Sequence, residues 1–393
     1  MRAGTVRNVA LLAACQALFM TGTSMVLTVT ALAGEVLAPG SGLATLPISL
    51  QFVVTMLTTL PASFVMRRFG RRLGFQIGAV IGLVGGLLNV VALSHGDFPL
   101  FCLGSALIGA LNGFAIYYRF AAADSADEEH RSRAISLVLA GGVVAAFTGP
   151  NLARLTVDAL SAATFAGSFL ALAVIQVVTV FLLIFVNIPR LSAEERRDQG
   201  RPFGEIVRIP QVPVAIIAAV IGYSSMTLVM TSTPLAMHGS GHHFGSTAFV
   251  IQWHVFAMFA PAFVTGHLIK RVGVLPVIVA GAAMNFVGVA VNMTGEGLWQ
   301  FTVALMALGV GWNFMFVGGT SLLTSVITRA EQAKVQGIND FLVFGSVAVG
   351  ALSGGALYQA LGWQALNLAV VPGLVVALLA ALWLWLQRSV QPT

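Results

Sequence analysis

The chain has 393 residues, of which 58% are hydrophobic and only 9% charged, with 42 glycines. A soluble domain cannot hide that much apolar surface, so lipid must be the solvent for most of it. The formal net charge of +6 is then a question of membrane topology, and nucleic acid is not expected as a partner.

Apolar stretches long enough to cross about 30 Å of hydrocarbon recur along the whole length. They predict twelve spans, at 9–34, 43–65, 73–94, 98–121, 134–153, 163–186, 211–237, 246–268, 273–294, 298–326, 336–360 and 366–387. The first is too long for a signal peptide, and a second span follows after a short loop, so it reads as a retained helix. With the N-terminus inside, eighteen of the twenty Lys and Arg residues fall on the cytoplasmic side, all but Arg119 and Arg154. This positive-inside bias predicts that both termini are cytoplasmic. Cys15 and Cys102 fall in separate spans and read as packing residues.

The longest polar segment, "NIPRLSAEERRDQGRPFGEIVRIPQ", separates six spans from six. It predicts an N-terminal bundle over 1–188, a cytoplasmic linker over 189–210 and a C-terminal bundle over 211–393. The halves echo each other at an offset of about 203. "SFVMRRFGRRLG" (63–74) answers "GHLIKRVGVLP" (266–276), Asn89 answers Asn292, and Asn112 answers Asn313. Paired six-helix repeats joined by a linker are the plan of many secondary transporters. No phosphate loop, zinc-protease motif or nucleophile elbow is present in the sequence, so neither ATP-driven transport nor enzyme chemistry is expected.

On these features the chain resembles the major facilitator superfamily over essentially its full length. That family carries a motif after its second helix, of which Arg68, Gly70, Arg71 and Arg72 are kept. Ser63 and Arg67 stand where the motif has glycine and aspartate. The resemblance implies an all-α membrane protein of twelve helices in two pseudo-symmetric bundles.

The seventh span contains "MTLVM" and the eighth "HVFAM". Positions i and i+4 share a helix face, so Met226 pairs with Met230 and His254 with Met258. Both pairs are symmetric about residue 242 in the intervening loop. Met230 and His254 would lie roughly 10–12 Å below the outer end, and Met226 and Met258 roughly 16–18 Å. Thioethers favour Cu(I), and neutral imidazole also accepts copper. The same four side chains could equally be packing residues, since methionine fills irregular apolar gaps.

The two motifs are also similar to those of the CcoA-like copper importers within the superfamily. That resemblance implies Met226, Met230, His254 and Met258 as ligands of a transported copper ion, taken as Cu(I) at the site, with no resident cofactor. It further implies a monomer in the bacterial inner membrane that hands copper to a cytoplasmic chaperone and feeds cytochrome c oxidase assembly. Met237, His238, His242 and His243 in the outer loop are candidates for capturing the ion. Arg119, Asp124 and Asp340 are candidates for gating or coupling, because charges in a membrane are costly. The alternative is a proton-coupled exporter of drugs or metabolites, since "TGPN" (148–151) is similar to the Gly-Pro core of the family's antiporter motif. A membrane sensor is a third class, disfavoured because no signalling domain is recognisable.

Overall fold

The computed structural model describes residues 3–118, 121, 122, 125, 138, 140–160, 163–188 and 200–390. The first half comprises α1 (Ala3–Leu37), α2 (Leu46–Phe69), α3 (Arg71–His95), α4 (Phe98–Ala115), α5 (Gly141–Thr156) and α6 (Ala166–Ile184). After a short helical turn at Phe203–Ile206 come α7 (Gln211–Gly239) and α8 (Phe244–Phe259), which continues past Pro261 as Ala262–Val272. α9 (Val274–Asn292) and α10 (Leu298–Thr324) follow.

The last two spans are nearly fused. One apolar stretch, Lys334–Gln387, runs for 54 residues, about 80 Å as a continuous helix and far more than one crossing needs. Gly362 breaks it, with φ 79° and ψ 179°, a conformation that glycine adopts without steric cost. α11 is therefore 329–361. α12 begins at 363 and runs into Val371–Val390 past a turn, because Pro372 has no N–H for the Leu368 carbonyl. α5 has only 16 residues, shorter than the span expected at 134–153, part of which lies outside the described residues.

The helices form two bundles with matching internal contacts. In the first half α1 packs on α5, α2 on α4, and α3 on both α4 and α6. In the second α7 packs on α11, α8 on α10, and α9 on both α10 and α12. The repeat extends into helices where it was not anticipated. "SMVLTVTALA" (24–33) in α1 answers "TLVMTSTPLA" (227–236) in α7 at the same offset of 203. The bundles meet along α5–α8 and α2–α11, with α1 touching α7.

Buried asparagines tie helices together, as polar groups must where water is absent. Asn89 donates to Ser105 Oγ at 3.3 Å, and Asn292 donates to Asn367 Oδ1 at 2.7 Å. Asn313 splints the break in α8: its Nδ2 donates to the Met258 carbonyl at 2.6 Å and its Oδ1 accepts from the Thr265 hydroxyl at 2.7 Å. Proline cannot continue the backbone ladder there, and the side chain of α10 satisfies a carbonyl beside the break.

The two ends of the molecule differ. On the face carrying both termini, the apolar clusters around Leu12 and Phe75 and around Val212 and Leu322 each draw on one half only, among the described residues. On the opposite face one cluster combines Met25, Ile48 and Phe169 of the first half with Leu235 and Ala351 of the second. There Asn151 donates to Gln252 Oε1 at 2.7 Å, the rings of Phe165 and Phe244 lie 6.0 Å apart, and the Gly355 amide donates to Thr45 Oγ1 at 3.3 Å. The halves are thus closed together at the face away from the termini.

On the termini face, Arg201 forms a two-pronged pair with Glu331 at the start of α11, Nε to Oε1 at 2.6 Å and a terminal nitrogen to Oε2 at 2.9 Å. The Glu331 side chain is 1% exposed and also accepts from the Thr328 amide in a capping box. The Arg201 guanidinium, aided by that amide, holds the Glu331 carboxyl well below its ordinary value of 4.5. A depressed carboxylate stabilises the fold above the unfolded value and loses that contribution as pH falls toward the folded one. Glu331→Gln should therefore melt earlier than wild type at neutral pH, and the gap should close on acidification below about pH 4.5. Thermal unfolding in detergent across that range checks this; equal melting at pH 7 would contradict it.

Candidate functional site

Aromatic side chains from four helices of the second half gather where the two bundles meet. Tyr223 on α7 places its ring 5.4 Å from Trp312 and 5.4 Å from Phe316, both edge-on, and 6.0 Å from Phe344 of α11. Trp312 and Phe316 are one turn apart on α10 and stack at 5.2 Å with planes 12° apart. Phe259 of α8 reaches Trp312 at 5.9 Å. The first half supplies the facing wall. Phe52 of α2 packs, as Tyr223 and Phe316 do, against buried Ala219, Val343 and Val347 of the second half. Ala146 belongs to the cluster that holds Trp312, and Leu27 packs against that cluster. Gly142 on α5 leaves room for Phe259, since a Cβ there would stand 2.7 Å from its ring.

This surface is apolar and aromatic, yet it keeps hydrogen-bonding capacity. Trp312 Nε1 is enclosed and has no protein partner among the described residues, although buried indole N–H groups usually find one. Tyr223, Phe259, Phe316 and Phe344 are half-buried. Parting the halves would expose their faces to a solute. Such a wall can stack a planar ring and offer it donors at the edge. The cluster went unnoticed in the sequence, where the signals were the run "WNFMF" (312–316) and Tyr223 three residues before Met226.

Four of the sequence-predicted residues, Met226, Met230, Met237 and Met258, share the buried core that holds Trp312. Met226, Met230 and Met258 are enclosed at 3, 4 and 7% exposure in one cluster with Val229, Ile251, Val255 and Leu308. His254 is fully buried, and its Nδ1 donates to the Leu305 carbonyl of α10 at 2.7 Å. In the neutral ring that bond leaves Nε2 as an acceptor, enclosed and without a partner among the described residues. α8 can approach α10 this closely because Gly309 has no side chain; a Cβ there would stand 2.7 Å from the His254 carbonyl oxygen.

Met237, in the last turn of α7, is buried in the second-half core. His242 is committed to the loop before α10, donating to the Glu296 carbonyl at 2.8 Å and meeting the Phe301 ring edge-on. His238 and His243 are exposed. Among the described residues no three His, Cys, Asp or Glu side chains gather as a metal site. Asp340 accepts from Asn339 at 3.2 Å and lines a small cleft between α2 and α11 with Met56, Thr59 and Phe344. Arg119 and Asp124 lie outside the described residues.

A family model described as "Major Facilitator Superfamily" matches residues 12–261 and 215–393. The riboflavin transporter RfnT of Brucella anthropi is 40% identical over 374 residues, covering 95% of this chain and 94% of that protein. The uncharacterized MFS-type transporter YdeG of Bacillus subtilis is 28% identical over 380 residues, 93% of this chain and 88% of its own. Among solved structures, a D-xylose–proton symporter superposes with a TM-score of 0.75 at 14% identity, covering 97% of each chain.

These findings correct the copper reading. Full-length identity to a riboflavin transporter outweighs two four-residue spacings. Copper import, a copper-binding role, a link to cytochrome c oxidase assembly and kinship with the CcoA-like importers are therefore withdrawn. The physical reason is visible in the core: Met226, Met230 and Met258 fill space among aliphatic side chains, and His254 is engaged with α10. Volume-conserving Met226→Leu and Met258→Leu should each cost less than about 1.5 kcal/mol of stability and leave cell-associated copper unchanged. A fall in copper measured by mass spectrometry would reinstate a metal role. The full-length family match, the extensive identity to a named transporter and the paired six-helix bundles make this chain a multi-pass membrane protein of the bacterial inner-membrane type, and it belongs to the major facilitator superfamily of transporters.

Proposed function

We propose that the chain is a secondary carrier for a vitamin of the riboflavin class, a tricyclic planar ring bearing a polyhydroxyl tail. The observation that carries this is the 40% identity to a riboflavin transporter along 95% of the chain. The aromatic wall of Tyr223, Trp312, Phe316 and Phe259 supports it, because a flat ring gains most from stacking on such faces. The reading shares its class of cargo with the alternative drawn from the sequence, a proton-coupled exporter of drugs or metabolites, and requires no ATP.

Transport would proceed by rocking of the two bundles about the central seam. The halves share a core at the face away from the termini and keep separate cores at the termini face. Under the orientation implied by the basic loops, this arrangement is closed to the outside, and the first movement would open it toward the cytoplasm. Ring stacking against Trp312 and Tyr223 on one side and Phe52 on the other would hold the solute between the moving halves.

Purified protein in liposomes should drive saturable counterflow of labelled riboflavin, a readout independent of transport direction. Trp312→Ala should weaken apparent affinity by about 5- to 100-fold, the equivalent of roughly 1–3 kcal/mol of lost stacking. No counterflow by wild type, or unchanged affinity in Trp312→Ala, would count against the proposal.

A further inference from the structure

Most buried hydroxyls on the two symmetry-related helices α1 and α7 bond to their own helix or across to a neighbour; Thr21 pairs with Thr148 of α5 at 2.6 Å and Ser224 donates to the Ile221 carbonyl at 3.4 Å. On α1, Thr23 donates to the Phe19 carbonyl, Thr28 to Ser24 and Thr30 to Val26, each four residues back at 2.7–3.0 Å. On α7, Thr231 donates to Thr227, Ser232 to Leu228 and Thr233 to Val229, at 2.7–2.9 Å. This back-bonding is the ready solution for a hydroxyl on a helix away from water.

Ser24 and Thr227 do not use it. Among the described residues, theirs are the enclosed hydroxyls that have no hydrogen-bond partner at all. The residues themselves are 3% and 2% exposed. They are also twins, separated by 203 residues, the offset of the internal repeat, and each opens the matching segment "SMVLTVTALA" or "TLVMTSTPLA". An unmet hydroxyl at one place is a packing defect. The same enclosed, unmet hydroxyl at two-fold-related places points to a shared task.

Their surroundings indicate what the task is. Thr227 lies one helical turn from Tyr223, whose ring anchors the aromatic wall. Ser24 lies on α1, the helix that touches α7 across the seam. Its side chain sits beside Gly149 of α5, where a Cβ would come within 2.6 Å of the Ser24 Cβ. α1 and α5 therefore close tightly around one hydroxyl, and α7 carries the other next to the stacking surface.

We propose that Ser24 and Thr227 are a matched pair of specificity residues, one from each half, that hydrogen-bond the polar atoms of the carried solute. A hydroxyl both donates and accepts, so the pair fits a solute rich in both functions, such as a ring imide edge or a polyhydroxyl tail. A solute bonded to both halves would also link them mechanically, which a rocking carrier needs. This inference rests on the reading of the protein as a riboflavin-class carrier and names residues that read that solute.

The test uses purified full-length protein in lipid nanodiscs, with riboflavin as the probe. Ser24→Ala and Thr227→Val should each weaken riboflavin binding about tenfold, while Thr227→Ser stays within about threefold of wild type. Without riboflavin, the melting temperatures of Ser24→Ala and Thr227→Val should equal or exceed that of wild type, because each removes an unsatisfied hydroxyl. A purely structural role predicts the reverse, lower melting with unchanged affinity, and would overturn the proposal. Wild-type affinity in both variants would also overturn it, leaving the carrier reading intact. Failure of the wild type itself to bind riboflavin would remove both. Should Thr227→Val fail to accumulate, Thr227→Ala carries the same comparison.

Discussion

In hydrocarbon nothing apolar is gained by pressing one apolar helix against another, so helices come together only where backbones can approach closely. This chain meets that constraint with glycine placed on the contact faces. A Cβ at Gly141 would stand 2.9 Å from the Ala17 nitrogen, and one at Gly149 the same distance from the Thr21 carbonyl oxygen, which brings α5 onto α1. In the second half, Gly350 meets the Ser224 carbonyl and brings α11 onto α7, while Gly309 brings α10 onto α8. Everything else rides on these approaches: the asparagine ties, the aromatic wall and the seam between the bundles.

The seam is also where stability and function compete. Each bundle holds its own core near the termini, and the shared core sits at the opposite face. A carrier must break such a shared core and form another, so the contacts across it should be few and replaceable. An amide pair at Asn151–Gln252, ring contacts at Phe165–Phe244, Phe147–Trp253 and Phe147–Phe256 and a weak tie through Thr45 meet that description. Asn313 keeps the broken α8 rigid beside the seam, so that bundles can move as bodies.

How much of this was legible follows from what lipid hides. Length and apolarity locate a span, so the helical membrane architecture and its division into two halves were readable from the placement of apolar stretches and the polar linker. The fused stretch over α11 and α12 was also split correctly. Rotation of each helix was not readable, because α1, α2 and α7 are apolar nearly all the way round and carry little sign of which face turns inward. The spacing of Met226, Met230, His254 and Met258 encodes depth and shared faces, and those side chains do lie within the second-half core. It does not encode whether that face meets a solute or a neighbouring helix, and His254 turns to Leu305. The outer histidines misled for a different reason: exposure in a loop is compatible with capture, whereas the bond from His242 to Glu296 depends on a distant loop. The aromatic wall draws on α7, α8, α10 and α11 at once, so no single stretch announces it.

The central claim is that a flat solute sits between the two bundles against the aromatic wall. It is tested most directly by determining the structure of the protein in lipid with riboflavin bound. The account predicts ring density stacked on Trp312 and Tyr223 and facing Phe52, in a cleft opened by separation of the halves. Density elsewhere on the protein, or an unoccupied seam at saturating riboflavin, would contradict it.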